Sequence, residues 1–207
     1  MSALVALSSL LDAQQIWRGR AAPVSAGEQP TGWAALDAVL PAGGWPAAAL
    51  SEILLPVDGV GELQLVLPTL ARLTQSARTV VVVAPPYVPC VAGWRQHGVD
   101  MRHVEIVHAD SKDVLWAMEQ CLRSASCAAV LAWPQRADDH ALRRLQVAAD
   151  SGHALAFVFR ARRHLANASP AALRLELEAR PHARVWVRKC RGGAVPVLPV
   201  ALGRALH

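Results

Sequence analysis

With 207 residues, 53% of them hydrophobic, and a formal charge of +5, the chain is long enough to bury one full core and short for two domains. No apolar run reaches the roughly 18 to 20 residues that a membrane span requires, and the apolar start SALVALSSLL lacks the basic flank and cleavage site of a signal peptide. A cytoplasmic protein with no membrane partner is expected. Four cysteines (Cys90, Cys121, Cys127, Cys190) form no CxxC pair and no zinc-like spacing with histidine. Buried or idle thiols, with no metal and no cofactor, follow from that spacing.

In chain order, Leu4, Leu7, Leu10 and Leu11 fall at helical spacing, and residues 18–30 (RGRAAPVSAGEQP) have linker composition. Residues 1–29 are therefore expected to be an N-terminal helix and linker, which docks on a partner or packs on its own core, and residues 30–207 one domain. Short buried-strand runs follow at residues 49–55, 79–84, 103–108, 128–133 and 154–159. Between them, residues 61–75, 88–97, 112–125 and 138–151 are long enough for crossover helices, the first kinked at Pro68. Alternation of this kind defines an α/β core with a mostly parallel sheet flanked by helices. After Phe159, LRLELEA, RVWVRK and VPVLPVAL read as antiparallel C-terminal strands closing one side of the sheet.

Residues 54–67, LLPVDGVGELQLVL, run from an apolar strand through a glycine turn into an apolar helix, the plan of a phosphate loop. A working GxxxxGK[ST] loop needs a first glycine, a lysine for the phosphates and a hydroxyl for magnesium. Here Pro56, Glu62 and Leu63 stand in those places, and Gly59 and Gly61 keep the turn. A carboxylate about 4 Å from a phosphate is repelled by roughly 4 kcal/mol at an effective dielectric near 20. The strand that should end in a magnesium-orienting acid ends in Ala132 or Trp133, and Pro86 takes the place of the catalytic glutamate. With those groups gone, no machinery for phosphoryl transfer is expected.

Ahead of that turn, PTGWAALDAVLPAGGWPAAALSEI places Thr31, Gly32, Leu36, Asp37, Leu40, Gly43, Gly44, Pro46, Glu52 and Ile53 at the spacings of the segment leading into the core of RecA-type recombinases, which it resembles over roughly residues 30–200. GVGELQLVLPTLARL, VVVAPPYVP and AVLAWPQRADDHALRRLQ resemble the SulA/ImuA branch, on its ImuA side. The resemblance implies a RecA-like, P-loop-type core with a degenerate phosphate loop. It also implies a non-catalytic accessory role in DNA-damage-induced translesion synthesis and mutagenesis within the SOS response. The implied partners are an ImuB-type polymerase-like protein, RecA and, indirectly, an error-prone DNA polymerase, with nucleoid association when engaged. The same branch implies the alternative of a SulA-type cell division inhibitor that binds the tubulin-like division protein.

Charge is uneven: residues 151–207 carry +8 and residues 1–150 carry −3. The basic end faces a polyanion or an acidic protein surface, or is a solvated arginine-rich face. Arg160, Arg162 and Arg163, then Arg188, Lys189 and Arg191, are the candidate contacts for a partner or for weak, salt-sensitive binding of single-stranded DNA; Leu4, Leu7 and Leu11 are the candidates at the other end. Eight scattered histidines read as surface or hydrogen-bonded groups. Trp45, Trp116 and Trp133 are expected in the core, with Trp94 and Trp186, beside arginines, the ones to test for base stacking.

Overall fold

The computed structural model describes residues 29–178 and 183–203. After a short helix α1 (Ala34–Asp37), strands and helices alternate: β1 (Leu50–Leu55), α2 (Glu62–Gln75), β2 (Val80–Val83), α3 (Val91–Gln96), β3 (Val104–Val107), α4 (Val114–Arg123), β4 (Ala129–Ala132), α5 (Asp139–Ser151) and β5 (Leu155–Ala161). A 3-10 turn (Arg162–Ala166) then leads to β6 (Leu173–Glu178), β7 (Arg184–Cys190) and β8 (Val200–Ala201). They form one eight-stranded sheet in the order β3-β2-β4-β5-β1-β6-β7-β8.

β1, β2 and β4 are buried along their whole length, which is why they read in the sequence as continuous apolar runs rather than as alternating ones. Two layers of side chains cover the sheet. Leu65, Val66 and Leu70 of α2, Trp94 of α3 and Trp45 of the entry segment pack on one face; Met118 and Leu122 of α4 with Leu142 and Leu145 of α5 pack on the other. Trp45 meets Phe157 edge-on, ring centroids 4.9 Å apart, and its indole N–H donates to Thr69 Oγ1 at 2.8 Å. Thr69 Oγ1 lies within 3.2 Å of the Pro30 carbonyl and 3.3 Å of that of Thr31, so one buried hydroxyl ties the entry segment to α2.

Two expectations change. β6 is parallel to β1 (Ser51↔Leu173, Ile53↔Leu175), and β7 alone runs against its neighbours β6 and β8. The chain does not hairpin after β5: the 3-10 turn carries it past β1, and a strand reached by such a crossover enters parallel. The stretch VPVLPVAL yields only the two-residue β8, and Val197 and Leu198 lie 90% and 74% exposed. Pro68 is accommodated inside α2, which continues to Gln75. Gly32, at φ 85°, packs where a side chain would come within 2.3 Å of the Pro68 ring. The expected N-terminal helix and the bulk of its linker, with Leu4, Leu7 and Leu11, lie outside the described residues.

Candidate functional site

The carboxyl ends of the parallel strands carry the features that packing does not explain. At the end of β1 the chain turns through Pro56 to Gly61; Gly59 (φ 77°) and Gly61 (φ 92°) take left-handed conformations that glycine adopts without strain. Glu62 opens α2 and folds back into the turn. It is 4% exposed, and its Oε1 accepts the Gly59 N–H at 3.2 Å. Its Oε2 is buried and meets no donor among the described residues. Pro56 and Gly59 are exposed, and Leu63 is half-buried against the core.

The turn meets the loop that follows β2. Ala84, at φ 44°, turns the chain into Pro85 and Pro86, and Tyr87 leans over Gly59 so that a side chain added there would meet the ring at 3.9 Å. Val57 (64% exposed), Tyr87 (65%), Val88 (93%) and Val91 (45%) make this end of the sheet apolar and solvent-facing, the property of contact surfaces. Beside it lies a cleft of about 1070 Å³ between the ends of β2, β3 and β4, bounded by Pro85, Pro86, His108, Asp110, Trp116 and Trp133. It sits where the strand order reverses, the usual crevice of an open α/β sheet. Trp133 stacks on Phe159 at 4.6 Å and 15°. Trp116, expected in the core, is 60% exposed on the cleft wall, because its position on α4 turns away from the sheet.

The basic candidates separate into two groups. Arg160 is 3% exposed, which corrects its assignment as a surface contact: its guanidinium donates to Glu52 Oε1 at 2.6 Å and to the Ala137 carbonyl at 2.7 Å. Arg174 donates to Glu52 Oε2 at 2.6 Å and to carbonyls of the 3-10 turn and the residue after it, His164 at 2.9 Å and Asn167 at 3.1 Å. Glu52, 0% exposed, is thus saturated by two arginines from neighbouring strands. Arg162 and Arg188 converge on Glu176, at 2.5 and 2.6 Å, and the Arg188 guanidinium lies 4.6 Å over the Trp186 ring. Lys189 donates to the Ser169 carbonyl at 2.6 Å and Arg191 to that of Pro170 at 3.3 Å. Burial, with Arg191 beside it, pulls the Lys189 ammonium below its ordinary pKa. Arg163 is exposed on the 3-10 turn. Much of the basic charge legible in the sequence is therefore spent inside the C-terminal strands. Trp94 is 4% exposed in the core, and the Trp186 indole donates to Glu178 at 3.2 Å; neither is an open stacking platform.

Sequence reading missed the Glu52 network and the apolar ridge. The first had a signal, a glutamate inside the otherwise uncharged strand LSEILL, since such a charge needs a partner. No group of three or more His, Cys, Asp or Glu side chains is placed to hold a metal among the described residues. Burial raises the thiol pKa of Cys121, Cys127 and Cys190 above the ordinary value. No helix among the described residues is long and apolar enough to cross a membrane.

Together these features define a mixed α/β domain with a mostly parallel sheet, in which a buried glutamate fills the turn after β1 and Val57, Tyr87, Val88 and Val91 lie exposed in the segments that follow β1 and β2. Residues 48–156 match the protein family described as cell division inhibitor SulA, and the chain belongs to that family. The crystal structure of SulA from Pseudomonas aeruginosa is similar at 28% sequence identity, covering 56% of this chain and 99% of that one with a TM-score of 0.47. Comparison with curated proteins finds no match.

The family match corrects the reading toward the ImuA side of the branch. The three strings that carried it, residues 59–73, 81–89 and 129–146, lie inside the span that matches SulA, whereas the leading motif, which carried the RecA-type resemblance, is a packing device. The Thr31 N–H donates to Asp37 at 2.8 Å, Gly32 clears Pro68, and Gly44 clears the Gln29 carbonyl, which a side chain would approach to 2.2 Å. The first and last of these contacts brace the entry segment on itself and the second seats it on α2, so they report the fold and not the branch, and they lie ahead of the matched span.

Proposed function

We propose that the chain is a non-catalytic cell division inhibitor that docks on the tubulin-like division protein and blocks its polymerisation, as part of the response to DNA damage. The observation that carries this reading is the match of residues 48–156 to the SulA family. The proposed contact is the ridge of Val57, Tyr87, Val88 and Val91, large apolar groups held in water on a rigid sheet end. The strand–turn–helix around Gly59 and Gly61 supports a RecA-like core with a degenerate phosphate loop. Pro56, Glu62, Leu63, Pro86 and Trp133, in the places of the catalytic groups, support a protein that works by binding.

The test is the polymer yield of the purified division protein, by light scattering and sedimentation, with and without this chain. The wild type is expected to lower the yield in proportion to its concentration. Tyr87→Asp and Val88→Asp, both at exposed positions, are expected to leave stability within about 0.5 kcal/mol and to weaken inhibition at least about tenfold, since a buried interface anchor is worth roughly 2 kcal/mol or more. No effect of the wild type on polymerisation overturns the function; full inhibition by both variants overturns the surface.

A further inference from the structure

A helix amino terminus preceded by left-handed glycines is built to hold an anion, because unpaired backbone N–H groups and the positive end of the helix dipole point the same way. α2 has 14 residues, and Gly59 and Gly61 shape the turn before it. What occupies this turn is part of the chain itself. The Glu62 carboxylate lies within it, 4% exposed, with Oε1 on the Gly59 N–H at 3.2 Å and Oε2 buried without a donor among the described residues. A buried carboxylate oxygen with no donor is a cost to folding, and the one amide recorded on this carboxylate among the described residues is that of Gly59.

We propose that the β1–α2 turn is an anion cradle plugged by Glu62, and that a phosphoryl group binds there only when this carboxylate is taken away. The nucleotide site suggested by the strand–turn–helix plan thus does not fit these residues: the plug occupies it, and residues 56–63 contain no lysine or arginine to attract phosphate. Glu62 acts as an exclusion group. Its charge about 4 Å from an entering phosphate lowers affinity by several hundredfold at an effective dielectric near 20. The proposal does not depend on the identity of any protein partner.

The experiment uses the full chain labelled with nitrogen-15 and inorganic pyrophosphate as the probe, and follows the Gly59 amide resonance. In the wild type that resonance is expected to stay in place through millimolar pyrophosphate. In Glu62→Ala it is expected to move saturably, with an affinity at least about a hundredfold above the wild type, and with the shifts confined to the turn and the first residues of α2. Glu62→Gln, which keeps the shape and removes the charge, is expected to respond in between. An immobile Gly59 amide in a folded Glu62→Ala, or equal responses in wild type and variant, overturns the proposal. So does loss of the fold in both variants, since Glu62 would then be a structural requirement and not a plug.

Discussion

Two glutamates on either side of the β1–α2 turn are both buried, and they are held in opposite ways. Glu52, in the middle of the sheet, has a guanidinium on each carboxylate oxygen. Glu62, at the end of the sheet, has one backbone N–H on one oxygen and nothing among the described residues on the other. Burial alone thus does not distinguish a carboxylate that holds a fold together from one that fills a space. The number and charge of its donors does: a saturated buried ion is destructive to break, whereas a half-satisfied one costs stability while it is there.

The largest expected effect comes from breaking the saturated side. Glu52→Ala leaves Arg160 and Arg174 buried without their anion and is expected to cost about 3 to 5 kcal/mol, measured as a fall in the urea midpoint. A cost below about 1 kcal/mol would erase the distinction. Glu62→Gln is expected to change stability by less than about 1 kcal/mol in the same experiment, because the amide oxygen can still accept from Gly59 while the unmatched charge is gone. The smallest effect concerns a third carboxylate, at the surface and 23% exposed. Asp100 is held down to about 2 by the hydrogen bonds and charge of Arg102. Its folded pKa lies below the unfolded value, so whatever stability the pair gives is present above the ordinary carboxylate range and is lost as pH falls toward 2. Arg102→Ala is expected to raise the Asp100 titration, followed by NMR, part of the way toward 3.8, because the backbone N–H of residue 102 still donates to the carboxylate, with no resolvable change in the denaturation midpoint, as is usual for exposed pairs.

Much of the sheet was legible because buried parallel strands are written as uninterrupted apolar runs: VVVV and AVLA have no other stable use between helical segments. The direction of β6 was not legible, since it depends on which side of β1 the 3-10 turn passes, and LRLELE alternates as a strand in either direction would. The place of Glu62 could be read from its spacing after Gly61, and so could its mismatch with phosphate; that its side chain folds back onto Gly59 could not, because side-chain direction at a helix start is set by the turn. Arg160 and Arg162 show the same limit. They part because β5 ends at Ala161 and Arg162 begins the 3-10 turn, one lying inside the sheet on Glu52 and one 60% exposed beside Glu176, and a count of positive charge treats them alike.

The central strand also has a history in time. Glu52 meets Arg160 across 108 positions of chain and Arg174 across 122, and both hydrogen-bonded neighbours of β1 are made late. At the usual pace of synthesis, about 5 to 20 residues per second, an apolar strand with a bare glutamate in it waits roughly 5 to 25 s for either neighbour. During that interval the nascent chain offers two open strand edges and an unpaired charge to whatever quality-control factors attend the ribosome. A fragment ending before Arg160 lacks both arginines that neutralise Glu52.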